Sequence, residues 1–183
     1  MPPGEPERAV TLHDSWLVVL GVATLATSAV AVALWISAHV EVDPALHIAA
    51  LFVHLASLVL GFGGVLIADY LVLVWISGRS TLTDAIRGAE RLHLPIWTGL
   101  AGLVASGALL EPDLASTITR IKLVLVAVLT VNGVQAMVLN KRIATDDSTR
   151  LPGHLTLWGG ATALISQACW WGAVWIGFWN AEH

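Results

Sequence analysis

Charge is what this sequence is shortest of: 12% of its 183 residues are Asp, Glu, Lys or Arg, against 56% hydrophobic. Soluble domains carry about 25% charged residues, so little is left here to cover a water-facing surface. The net charge is −4 and no basic stripe runs along the chain, which argues against nucleic acid as a partner. A single cysteine, Cys169, excludes an internal disulfide and leaves the redox compartment unread. Two methionines provide no thioether path for copper(I). Also missing are a nucleophile–base pair, a phosphate-cradling glycine loop and a His-Glu-x-x-His zinc motif. Hydrolases and nucleotide enzymes are thereby disfavoured. No long repeat or low-complexity tract occurs.

What is abundant is hydrophobic length, with a mean hydropathy of +0.77. A membrane-spanning helix needs about 20 largely apolar residues. Five stretches approach or exceed this: Trp16–Ser37, Leu46–Ile76, Leu92–Leu110, Ile121–Leu139 and Leu155–Trp179. At such lengths helix wins over strand, and a lipid interior requires the backbone to pair within each segment. Trp16–Ser37 exceeds the apolar core of a secretory signal, roughly 7–15 residues, and no small-x-small site follows it; it reads as a retained first span. The expectation is an all-α integral membrane bundle of about five helices, one membrane domain over residues 1–183. Nine Trp suit headgroup-level positions near helix ends.

The connections carry the charge. Arg8, Arg79, Arg87, Arg91, Lys141, Arg142 and Arg150 fall on one side, and only Arg120 and Lys122 on the other. This bias places the N-terminus in the cytoplasm and the C-terminus outside, in a multi-pass protein of the cell membrane. Within the inner connection Arg79–Arg91, Thr81 and Asp84 form a capping-box-like pair. Ala85, Ile86 and Ala89 then recur at helical spacing, predicting a short amphipathic helix on the inner surface. Small residues mark close packing faces at Gly61, Gly64 and Ala68, at Gly102 and Ser106, and at Gly159 and Ala163.

Seven His in so apolar a chain are the main chemical clue. His39, His47, His54 and His183 belong to the outer half, and His13, His93 and His154 to the cytoplasmic half. An imidazole at a helix end is inexpensive and often does no chemistry, which suffices for His13, His39 and His183. His54 differs. It follows His47 by seven residues, so the two lie about 20° apart on one face, with His54 about 10 Å deeper. An ionisable residue at that depth is costly and is a functional hypothesis by default. Gly61, two further turns along that face, leaves a flat surface for a porphyrin or a neighbouring helix. The plainer role for His54 is a hydrogen bond to another helix.

Asp69 is the second costly residue, two turns inside the cytoplasmic end of its span. It has two readings: an ion pair with Arg79, Arg91 or His93, or a proton relay. Asn132 and Gln135 read first as packing groups that bond across helices. Lys122 opens the fourth span from the outside, where it either snorkels to the headgroups or shares one site with His47 and His54.

The order of these features resembles a known unit: His54-Leu-Ala-Ser-Leu-Val-Leu-Gly-Phe-Gly-Gly, an Arg-bearing connection, Leu94-Pro95-Ile96 entering a helix that ends Ser106-Gly107, then Lys122-Leu123-Val124-Leu125-Val126. It is similar to the four-helix membrane unit of HemJ-type protoporphyrinogen oxidases and, more loosely, to the copper-resistance CopD domain, over about Leu46 to Trp179. The resemblance implies haem b and membrane oxidoreductase activity, with His54 and Lys122 at the family's positions for haem and activity. The chain departs where Gly61-Phe62-Gly63-Gly64 replaces a Trp-Met-Ala-Gly segment, and where Asn132-Gly133 replaces a His-containing one.

Three functional classes follow. In a haem or redox protein, His54 with His47 or Lys122 would ligate one haem, and His93 with His154 another. Trp158, Trp170, Trp171 and Trp175 would wall a flat cofactor or face lipid. In a copper-handling protein of CopD type, His39, Glu41, Asp43, His47 and His54 would supply the ligands. In the third class the chain is a non-catalytic subunit of a larger membrane complex. Expected partners are the bilayer, a membrane redox partner or larger complex, and a second copy of the chain.

Overall fold

The computed structural model describes residues 42–144 and 152–182, with scattered positions between Leu20 and His39. The described residues are all-α, with four bounded helices and no strand: α1 Pro44–Ile76, α2 Leu82–Ala108, α3 Thr117–Ala144 and α4 Gly153–Glu182. Most of the expected first span, Trp16–Ser37, lies outside the described residues; its described positions are helical. Two helices, Pro44–Ile76 and Thr117–Ile143, are long and apolar enough to cross a membrane. The other two are diluted by Gly, Ser, Thr, Trp and His, residues that favour close packing or polar contact over hydropathy.

The helix ends follow local chemistry. Asp43 caps α1, its Oδ1 accepting from the amides of Ala45 at 2.9 Å and Leu46 at 3.0 Å, with Pro44 in the first turn. At the other end Gly78 takes φ +74°, and the Arg79 amide reaches back to the Val74 carbonyl at 3.1 Å. This is the left-handed stop that glycine permits without a Cβ clash. Thr81 caps α2 as its spacing predicted: its hydroxyl accepts from the Asp84 amide at 3.1 Å and donates to the Asp84 carboxylate at 2.6 Å.

One expectation changes here. The short amphipathic helix and the third span are a single helix, α2, running through Pro95. Proline removes one backbone bond to the preceding turn, but its φ is helical, and the flanking residues are held by α1. Ile96 packs over Gly64 and Leu71 over Gly88.

α1 and α2 pair antiparallel along their length, as do α3 and α4, while α2 touches α3 only lightly. Where α1 crosses α2 the backbones meet. A Cβ on Gly99 would lie on the Gly61 amide and 2.7 Å from the Ser57 carbonyl. Phe62 and Val65 of α1, Leu100 of α2, Leu129 of α3 and Cys169 and Trp170 of α4 form the shared core. Phe62 stacks on Trp170, with centroids 5.4 Å apart.

Candidate functional site

His54 emerges from α1 about 15 Å past the start of the helix. It is half-buried against α2, with its Nδ1 3.0 Å from the Ser106 hydroxyl oxygen. The direction of that bond follows from Ser106. Its hydroxyl lies 2.5 Å from the Gly102 carbonyl, one turn back on α2, and a carbonyl can only accept. The serine proton is thus committed, and its oxygen accepts from His54 Nδ1–H. The imidazole is the Nδ1–H tautomer, and Nε2 carries the free lone pair. Gly107 lies alongside the ring: a Cβ there would be 3.5 Å from His54 Cε1.

Lys122 enters from α3, half-buried, near the same end of the bundle as His54 and Ser106. Gly177 of α4 leaves room for the ammonium, since a Cβ there would stand 3.7 Å from Nζ. One turn outward, Asn180 reaches the Thr119 hydroxyl at 3.5 Å and ties the same two helix ends together. Among the described residues no carboxylate pairs with Lys122. The neighbouring cation, Arg120, is taken up by the Leu114 carbonyl at 2.8 Å and the Ala115 carbonyl at 3.1 Å. His54 and Ser106 are therefore hydrogen-bonded across α1 and α2, with Lys122 of α3 packed beside Gly177 near the same end of the bundle.

The remaining candidates fall outside this arrangement. His47 is half-buried two turns earlier on α1. Gly61 faces the Gly99 backbone and the Trp170 ring, so the neighbouring helix, not a porphyrin, occupies that flat surface. His93 is half-buried on α2 with Glu90 as its charged neighbour, and His154 is exposed at the start of α4; no interaction joins the two. His39 stacks on Trp35, and its Nδ1 meets the Trp35 carbonyl at 2.8 Å. Glu41 lies outside the described residues, and Asp43 is committed as a cap. Among the described residues no group of three His, Cys, Asp or Glu could hold a metal ion.

None of the family models, curated proteins and solved structures compared with this chain matches it.

Asp69 does not pair with Arg79, Arg91 or His93. Its carboxylate accepts from the Gln167 amide of α4, whose oxygen in turn accepts from the Trp171 indole at 3.0 Å. Gln167 was invisible to the histidine and charge count, although an amide in an apolar run is itself a signal. Asn132 does bond across helices as expected, donating to the Thr162 carbonyl at 2.9 Å.

Proposed function

We propose that this chain is a multi-pass membrane protein, cytoplasmic at its N-terminus. We further propose that its His54–Ser106 pair, with Lys122 at the same end of the bundle, serves membrane redox chemistry as a haem b site. The membrane reading is supported by an inverted distribution of side chains. Ser106, Thr119, Thr130 and Asn132 are buried at 4–6% exposure, while Phe52, Val59, Leu157 and Leu164 stand at 73–75%. Exposed apolar faces on this scale suit lipid rather than water. Arg142 over the Trp158 ring, at 5.3 Å, and the run of arginines at the start of α2 suit the inner headgroup region.

The observation that carries the functional part is the fixed tautomer of His54. A metal-ligating imidazole almost always has its second nitrogen held by a hydrogen bond that sets the ring's orientation and basicity. Ser106 supplies that bond, leaving His54 Nε2 as the nitrogen that would hold the group. The residues fit haem on the donor side, while Gly61, packed against the Gly99 backbone and the Trp170 ring, would take no part in holding it. When bound, haem b would supply one-electron chemistry. The chain's own contribution would be to orient Nε2 through the Ser106 bond, with Lys122 supplying a cation at the same end of the bundle. The resemblance to HemJ-type oxidases points to the same two residues.

The test is the visible spectrum of the protein extracted from membranes in mild detergent after haem-replete expression. A Soret band with reducible α and β bands is expected. His54→Ala should abolish it, Ser106→Ala should shift it, and His13→Ala should leave it unchanged. A wild-type protein without a Soret band, or a His54→Ala spectrum identical to wild type, would overturn the assignment.

A further inference from the structure

Another part-buried polar contact between helices, Asp69 with Gln167, has no part in the His54–Ser106 pair. Asp69 lies fifteen residues beyond His54 on α1, about 22 Å along the axis and on the far side of the Phe62–Trp170 core. Its only hydrogen-bond donor among the described residues is the Gln167 amide. That amide cannot turn over without cost. An indole N–H can only donate, so Trp171 holds the Gln167 oxygen and leaves its NH2 aimed at the carboxyl. Gln167 is thus a positioning residue with one fixed donor.

The surroundings offer the carboxyl no charge. α2 carries Asp84, Arg87, Glu90, Arg91 and His93 over its first half, and none hydrogen-bonds or pairs with Asp69. α3 has no titratable side chain between Lys122 and Lys141. α4 contributes the neutral thiol of Cys169, and the chain neighbour on α1 is Tyr70, exposed on the outside of the helix. An ionised carboxylate seeks several donors or a cation when it leaves water. One amide N–H is enough for a carboxylic acid, whose own O–H can be shared with a neighbour or with water.

From this geometry we infer that Asp69 is a proton-binding site of the inner half, a carboxyl group that takes up and releases a proton from the cytoplasmic side, with Gln167 as its fixed hydrogen-bond donor. The step is a simple protonation: a carboxylate oxygen gains a proton from water, and the acid returns it. The inference rests on the membrane placement proposed above but not on haem at His54.

Infrared spectroscopy of the full chain in detergent micelles at neutral pH tests it. The expected result is a protonated-carboxyl C=O band that moves on exchange into heavy water and is absent from Asp69→Asn. In Gln167→Leu the band should move to higher frequency, because the carbonyl loses its donor. The wild-type band is read before any substitution, so a misfolded variant does not decide the question. A wild-type spectrum with ionised carboxylate absorption only, or a band that survives in Asp69→Asn, would overturn the proposal. So would a carboxylate band that responds to sodium, which would mark a cation site. Loss of the proton site with an intact Soret band would leave the haem reading standing. Recovery of the chain from the soluble fraction would overturn the membrane placement and this proposal together.

Discussion

The two helix pairs of this bundle are held by different means. α1 and α2 approach backbone to backbone: Gly61 lies on Gly99, Gly64 under Ile96, and Gly102 against the Ser57 hydroxyl. α3 and α4 stand further apart and interlock by side chains, with Leu125 over Gly172, Leu139 beside Gly159, and Asn132 bonded to the Thr162 carbonyl. Glycine contact gives dispersion over a large area but tolerates no added atom. Leucine contact tolerates more, because a side chain can turn aside. The rigid pair carries His54 and its hydrogen-bond chain, and the looser pair carries Lys122 and Gln167. Precision at the imidazole is thus supplied by the pair that can least adjust.

That contrast can be broken most directly at Gly99. Gly99→Ala places a methyl on the Gly61 backbone, 2.5 Å from its Cα, where no side chain can yield. We expect a loss on the order of 3 kcal/mol, read as a lowered melting temperature in detergent, together with a shift of the Soret band proposed for His54. Gly61→Ala should cost less, since its nearest neighbours are the Trp170 ring edge at 3.1 Å and Gly99 Cα at 3.3 Å. Wild-type melting of Gly99→Ala would show that the pair does not pack by backbone contact.

In the looser pair, Asn132→Ala removes one interhelical hydrogen bond. Such bonds contribute roughly 0.6–2 kcal/mol, so a modest fall in melting temperature is expected with the proposed Soret band unchanged. A spectral change would mean that the two pairs are coupled more tightly than their packing implies. The smallest effect belongs to Gly159→Ala. The new methyl would meet only Leu139 Cδ2, at an ordinary 3.8 Å, and alanine favours helix over glycine by about 1 kcal/mol. Melting should be unchanged or slightly raised; a marked loss would reveal a close contact on that face.

Gly159 also shows what small-residue spacing leaves open. It lies on a face packed against α3, as expected, but meets the Leu139 side chain at 3.8 Å, whereas Gly61 meets a backbone. Spacing places small residues on one face of a helix, but it does not say what lies opposite. Gly99, the tightest backbone contact, was not singled out, because its importance depends on the register of α1 against α2.

Much was nonetheless determined by the sequence alone. Helical class, the approximate helix positions, the Thr81 cap and the isolation of His54 and Asp69 among apolar residues all follow from short-range periodicity and the cost of ionisable groups among apolar neighbours. Partners are another matter. That His54 bonds Ser106 and not a cofactor-facing neighbour, that Asp69 meets Gln167 and not an arginine, and that Gly61 is filled by Gly99 were decided only by tertiary structure. The physical reason is register. A slide of one helix along another by a single turn, about 5.4 Å, leaves every local preference satisfied while exchanging each partner for another, and only the packing of complete helices selects among those slides.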